Sequence, residues 1–111
     1  MEPGYVKFLK NHQLEQRVLR AKEHLLKCNL CPHQCGVNRL EKLGFCQAPD
    51  KAVIASYGPH YGEEPPLVGH NGSGTIFFGY CNMRCVFCQN CELSFGGEGQ
   101  IITNETLAEI M

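Results

Sequence analysis

The sequence has no tryptophan, no excess of one charge and no long hydrophobic run. Its 10 Lys and Arg residues nearly balance its 11 Asp and Glu residues, which gives a formal net charge of -1. That balance lacks the basic surface with which proteins bind nucleic acid or an anionic membrane. No apolar stretch approaches the roughly 18 residues that a membrane-spanning helix requires. We therefore expect neither nucleic acid nor a membrane as a partner.

The first residues also lack the pattern of a secretory signal, in which a basic stretch precedes an apolar one. We therefore expect a cytoplasmic protein, in which thiols stay reduced. The compartment matters because 8 of the 111 residues are cysteine, which is several times ordinary usage. In a reducing compartment, so many thiols indicate metal ligands rather than disulfides.

The sequence pattern divides the chain into three segments. Residues 1–27 form a helical segment, residues 28–50 form a cysteine-rich knuckle with Gly and Pro between the cysteines, and residues 51–111 begin a larger α/β domain. Helix is expected from about His12 onward. There the apolar side chains recur at spacings of four, three and four, at Leu14, Val18, Ala21 and Leu25.

The third segment alternates strands with irregular chain. A short strand is expected at Lys51–Tyr57, followed by an irregular loop from Gly58 to Gly74. The apolar run Thr75–Gly79 predicts a strand that is buried on both faces. A last helix is expected to begin after Thr103, which is a suitable N-cap. Because this helix would end uncapped and apolar at Met111, we interpret the chain as truncated.

The first cysteine group has the spacing C-x2-C-x3-C-x10-C and consists of Cys28, Cys31, Cys35 and Cys46. Two cysteines separated by two residues present both sulfurs to one ion from a single backbone turn, and the other two complete a tetrahedron. Four thiolates leave no open position, so the group is expected to hold a structural zinc or a closed iron-sulfur cluster. His33 is an alternative ligand within the same group.

The second group begins with the spacing C-x3-C-x2-C, at Cys81, Cys85 and Cys88. Three cysteines on one loop can ligate three irons of a [4Fe-4S] cluster and leave the fourth iron open to a small molecule. In the competing interpretation, Cys91 supplies a fourth thiolate and closes a ferredoxin-like cluster or a zinc site. None of the eight cysteines is followed by proline, as the remote fourth cysteine of bacterial ferredoxins is.

The tract from Gly74 to Asn90, GTIFFGYCNMRCVFCQN, resembles the cluster loop of the radical S-adenosylmethionine enzymes. Within that superfamily it is most similar to the group that contains the pyruvate formate-lyase-activating enzyme. The stretches Cys28–Arg39 and Gly62–Pro66 resemble the same group. The resemblance implies an α/β fold. The chain would be the N-terminal part of a partial (β/α) barrel, preceded by a helix and a cysteine-rich metal-binding segment.

The resemblance also implies a cofactor set and a reaction. Cys81, Cys85 and Cys88 would each ligate one iron, S-adenosylmethionine would bind the fourth, and Phe87 would lie beside its adenine. Reductive cleavage would give a 5'-deoxyadenosyl radical that abstracts hydrogen, in this group from a glycine of a protein substrate. A reductant such as flavodoxin or ferredoxin would supply the electron.

Two features depart from the family pattern. Gly96-Gly97-Glu98 looks like the family's glycine-rich stretch, but it comes only ten residues after Cys88, so we interpret it as a loop. Cys91 stands where relatives commonly have another residue.

A closed barrel takes about 250 residues, so the 111-residue chain is not expected to catalyse the reaction alone. The alternative function is a small, non-catalytic iron-sulfur or zinc-binding module that carries electrons or binds a partner.

Overall fold

A computed structural model describes residues 2–111 and divides the chain into two compact units, Met1–Gly44 and Phe45–Met111. The division falls inside the cysteine-rich segment predicted at 28–50. None of the helices in residues 2–111 is long and apolar enough to cross a membrane.

The first unit contains helices α1, Gly4–Lys10, and α2, Gln13–Leu26. The helix expected from about His12 is confirmed as α2, and α1 also lies in the predicted helical segment 1–27, although no helix was assigned there before His12. Between them His12 takes a left-handed conformation with φ of 54°, which separates the two helices. The Arg17 guanidinium lies 3.8 Å from the centre of the Phe8 ring, a cation–π contact that joins them.

The second unit contains a three-stranded antiparallel sheet in the order β2-β1-β3. Its strands are β1, Val53–His60, β2, Ser73–Phe78, and the short β3, Gln100–Ile101. The central strand β1 carries Val53 and Ile54, each only 6% exposed, which form the core of this unit together. A bulge between Ile54 and Ser56 shifts the register of β1 against β2.

Strand β1 is longer than the sequence indicated, and the loop after it is shorter. The prediction that irregular chain begins at Gly58 is wrong, because Gly58 and Pro59 pair with Thr75 and Gly74 of β2. The connection between β1 and β2 also contains a four-residue helix, α3, Pro65–Val68. Glycine and proline usually end strands, but here cross-strand pairing continues the ladder through them.

The strand predicted at Thr75–Gly79 is confirmed as β2, but its expected burial on both faces is wrong. Strand β2 lies at an edge of the sheet, and Phe78 at its end is 49% exposed. An edge strand has a neighbour on one side only, so its apolar side chains are covered less completely than those of β1.

Two more helices follow in this unit, α4, Cys91–Gly96, and α5, Asn104–Ile110. Helix α4 ends where Gly97 adopts φ of 63°, a left-handed cap that glycine takes at little cost. The interpretation of 96–98 as a loop is thus wrong for Gly96 and confirmed for the two residues after it. The expected N-cap of α5 is confirmed, because the Thr103 hydroxyl accepts a hydrogen bond from the Thr106 N–H at 3.1 Å.

The second unit is thus a small α/β structure. Its strands pair antiparallel, whereas the strands of a (β/α) barrel are parallel. The expectation that the chain begins such a barrel stays a prediction.

Candidate functional site

The segment 79–90, which we call the cysteine loop, connects the end of β2 to the start of α4. It carries Cys81, Cys85 and Cys88, all three half-buried. The residues before the first two cysteines, Tyr80 and Arg84, have left-handed φ angles of 67° and 49°. Such angles cost a non-glycine residue about 1–2 kcal/mol each, so other contacts must stabilise the loop in this shape.

Arg84 supplies one set of these contacts. Its Nη1 donates a hydrogen bond to the Phe45 carbonyl at 3.3 Å. Its guanidinium also lies 5.2 Å from the centre of the Phe95 ring and 5.8 Å from that of Phe45. A planar, delocalised cation suits both rings and the carbonyl at once. Arg84 therefore attaches the middle of the cysteine loop to α4 and to the segment that precedes Cys46.

Backbone hydrogen bonds hold the start of the loop. The Gly79 N–H donates to the Val53 carbonyl of β1 at 2.8 Å, and the Tyr80 N–H donates to the Leu93 carbonyl of α4 at 2.8 Å. The Tyr80 ring lies directly against Gly97, at the position that a Cβ would occupy. Both the sheet and α4 thus fix the chain immediately before Cys81.

The sulfur atoms of the loop have polar neighbours. The Met83 N–H donates to Cys81 Sγ at 3.4 Å, and Cys88 Sγ lies 3.4 Å from Ser94 Oγ. The Cys88 N–H donates to the Cys85 carbonyl at 3.1 Å, so these two cysteines share one turn. Hydrogen bonds to sulfur stabilise a thiolate, which is the form that ligates iron or zinc.

The loop also exposes apolar side chains between its cysteines. Val86 is 97% exposed, Phe87 86% and Met83 71%. That Phe87 lies beside an adenine stays a prediction, but the protein covers little of its side chain. Its exposed face is therefore accessible to a ligand.

The first cysteine group lies mainly in the first unit, directly after α2. The Cys28 N–H donates to the Val37 carbonyl, and the Gly36 N–H donates to the Cys28 carbonyl, both at 2.9 Å. These bonds close a tight loop that contains Cys31 and Cys35. Gly36 has φ of 64°, which a residue with a side chain rarely adopts. Cys28 itself is 7% exposed and forms the core of this unit.

Cys46, the fourth predicted ligand, belongs to the second unit. The prediction that it shares one ion with the other three stays a prediction, as does the alternative role of His33. None of the eight cysteines forms a disulfide within residues 2–111. Nor do three or more His, Cys, Asp or Glu side chains of those residues stand close enough together to hold a metal ion.

Sequence reasoning missed α4 and, with it, Ser94. Leu93, Ser94 and Phe95 contact Tyr80, Cys88 and Arg84 respectively, so three consecutive residues of α4 meet three parts of the cysteine loop. No metal-ligand spacing points to these residues. The only signal in the sequence was Ser94 itself, a polar residue between Leu93 and Phe95 that comes shortly after Cys88.

Comparison with known proteins finds similarity to an uncharacterized protein. The chain is 39% identical over 89 residues to the uncharacterized protein MJ0674 of Methanocaldococcus jannaschii. The aligned part is 80% of this chain but only 25% of that protein, so the chain spans about a quarter of the length of this curated relative. No family model matches the chain, and no solved structure matches it.

Proposed function

We propose that the cysteine loop is the cluster-binding loop of a radical S-adenosylmethionine protein of the activating-enzyme type. Cys81, Cys85 and Cys88 would hold a [4Fe-4S] cluster, and S-adenosylmethionine would bind its fourth iron. The observation that carries this proposal is the C-x3-C-x2-C tract itself, which lies on one loop at the end of strand β2. The proposal includes the N-terminal part of a partial (β/α) barrel as the fold.

The chemistry of the donor set fits such a cluster. The loop offers three half-buried thiols, none of them in a disulfide, and an N–H group directed at Cys81 Sγ. The three sulfurs do not converge on one point in the structure, so binding must draw the side chains together. The backbone that carries them is already fixed by Arg84 and by the bonds of Gly79 and Tyr80.

When bound, the reduced cluster would supply the electron that cleaves S-adenosylmethionine to methionine and a 5'-deoxyadenosyl radical. The residues of this chain would position the reactants. The three thiolates would leave one iron open, and the exposed Phe87 ring would pack against the adenine. The radical would abstract hydrogen from a substrate, and we propose a glycine of a partner protein, with flavodoxin or ferredoxin as the reductant. We place this chemistry in the cytoplasm, where thiols stay reduced.

We propose a structural role for the first cysteine group. Cys28, Cys31 and Cys35 lie on a loop closed by backbone hydrogen bonds, which suits a zinc ion or a second iron-sulfur cluster. Such a metal would add stability to a unit in which Cys28 is the one described side chain that is both apolar and buried.

A second candidate function is a non-catalytic iron-sulfur or zinc module. The observation in its favour is Cys91, an exposed thiol at the first residue of α4 and three positions after Cys88. A fourth thiolate there would close the cluster and leave no iron for S-adenosylmethionine.

Anaerobic reconstitution with iron and sulfide, followed by EPR of the reduced chain, distinguishes the two candidates. The Cys91→Ser variant and the wild-type chain should both bind a cluster, and both spectra should change when S-adenosylmethionine is added. The Cys81→Ser, Cys85→Ser and Cys88→Ser variants should each lose the cluster. Loss of the cluster in C91S, together with a wild-type spectrum that ignores S-adenosylmethionine, would establish the closed module instead.

Metal analysis of the C81S/C85S/C88S triple variant identifies what the first group binds. About one zinc per chain would make that group a structural zinc site, and iron with sulfide would indicate a second cluster. A triple variant that binds neither metal contradicts the structural role proposed for the first group.

A further inference from the structure

Ser94 lies in α4 with its hydroxyl oxygen 3.4 Å from the sulfur of Cys88, the third cysteine of the loop. Both side chains are half-buried. We infer that Ser94 is a positioning residue that donates a hydrogen bond to the Cys88 thiolate and raises the reduction potential of the cluster. This inference rests on the proposed function, because it requires a cluster bound to Cys88.

The direction of the hydrogen bond follows from the chemistry of the ligand. In the thiol form either atom can donate, but a cysteine that ligates iron has lost its proton and can only accept. The Ser94 hydroxyl then becomes the donor. Hydrogen bonds to ionised acceptors are stronger than those between neutral groups.

The position of the hydroxyl is fixed by its helix. The Ser94 N–H donates to the Asn90 carbonyl at 2.9 Å, the bond expected of a residue within a helix. On one side of Ser94, Leu93 accepts the hydrogen bond of Tyr80, and on the other, Phe95 packs against Arg84. Helix α4 is therefore attached to the cysteine loop both before and after Ser94, which limits how far the hydroxyl can move from Cys88.

The consequence for the cluster is electrostatic. Reduction adds one negative charge, part of which resides on the cysteine sulfurs, so a donor at a sulfur stabilises the reduced cluster more than the oxidised one. The Met83 N–H would stabilise the reduced cluster in the same way at Cys81, but a backbone amide cannot be removed by a side-chain substitution. Ser94 is the side-chain donor that a substitution can remove.

The test compares Ser94→Ala with Ser94→Thr and with Ser56→Ala, which changes an exposed serine of β1 outside the loop. Each 111-residue chain is reconstituted, and its cluster is titrated with a redox mediator while EPR follows the reduced form. We expect S94A to shift the midpoint potential to more negative values. The shift should correspond to an approximately three- to tenfold lower ratio of reduced to oxidised cluster, or at most about 59 mV for one electron. The S94T and S56A chains should keep the wild-type potential.

A second readout follows the proton itself. In D2O, the reduced wild-type cluster should show one more exchangeable deuteron by electron-nuclear double resonance than the S94A cluster. Unchanged potential and unchanged deuteron coupling in S94A would overturn the inference and leave the proposed function standing. A wild-type chain that binds no cluster would overturn both.

Two outcomes remain if S94A fails to bind a cluster. An S94T chain with a wild-type cluster and potential would support the hydroxyl as the required group. Loss of the cluster in S94T as well would overturn the inference, because it would give Ser94 only a packing role in α4.

Discussion

Replacing Gly97 by alanine should destabilise the second unit and disturb the cysteine loop. Gly97 has φ of 63°, and a left-handed conformation costs an alanine about 1–2 kcal/mol. A Cβ at this position would also overlap the Tyr80 ring, which must then move away. Displacement of a packed side chain costs about 1–3 kcal/mol, so we expect a total loss of at least about 2 kcal/mol.

The neighbouring glycine provides a matched control. Gly96 is the last residue of α4, and a Cβ there would meet only Glu98 Cγ, at 4.0 Å. Because alanine is favoured over glycine in a helix, Gly96→Ala should be neutral or stabilising by up to about 1 kcal/mol. The two variants add the same methyl group to adjacent residues with opposite expected effects.

Urea unfolding followed by far-UV circular dichroism, under anaerobic reducing conditions, measures the free energy of unfolding of each chain. The Tyr80→Ala background separates the two causes, because without the ring Gly97→Ala should cost only its left-handed part, about 1–2 kcal/mol. Equal stabilities of the G96A and G97A chains would refute the reasoning. So would a cost of G97A that is the same with and without the Tyr80 ring.

Three further substitutions test other contacts of the second unit. Thr103→Ala removes the N-cap of α5 and should lower the free energy of unfolding by about 1 kcal/mol, measured in urea; an unchanged midpoint would contradict the cap. Arg84→Lys keeps the charge but loses the planar group over the Phe95 ring, so it should cost about 1 kcal/mol, and a chain as stable as wild type would argue against that contact. Gly99→Ala places a Cβ 2.5 Å from a carbonyl oxygen of β1 and should speed amide hydrogen exchange in β3, whereas Gly74→Ala, whose Cβ meets nothing within 4 Å, should not.

Local sequence signals predicted the elements that depend on local physics. The apolar periodicity of α2 and the Thr103 cap of α5 each operate within a few residues, and both are confirmed. The extent of β1 could not be predicted in this way, because Gly58 and Pro59 belong to the strand only through their partners on β2. The exposure of Phe78 likewise depends on the order of the strands, which no local pattern contains.

In the candidate site, too, local sequence predicted some features and not others. Spacing alone identified the three cysteines of the loop as a group, and the structure places that loop directly after β2. Several of the contacts that support the loop come from α4, a six-residue helix with a cysteine at its start and a glycine at its end. Such a short segment carries no periodicity, so the role of Ser94 emerges only when Cys88 and α4 are seen together.

The two ends of the segment from Gly79 to Ile102 are bound to adjacent residues. Gly79 donates to Val53, as described above, and Ile102 donates to the Ala52 carbonyl at 3.0 Å. Closing a flexible loop of this length costs chain entropy, with a length-dependent part of about 3 kcal/mol. Because the sheet closes it during folding, a cluster bound as proposed would have to order only the short turns between Cys81, Cys85 and Cys88. Strand β1, which contributes no ligand, would already have closed the segment that carries the three thiols.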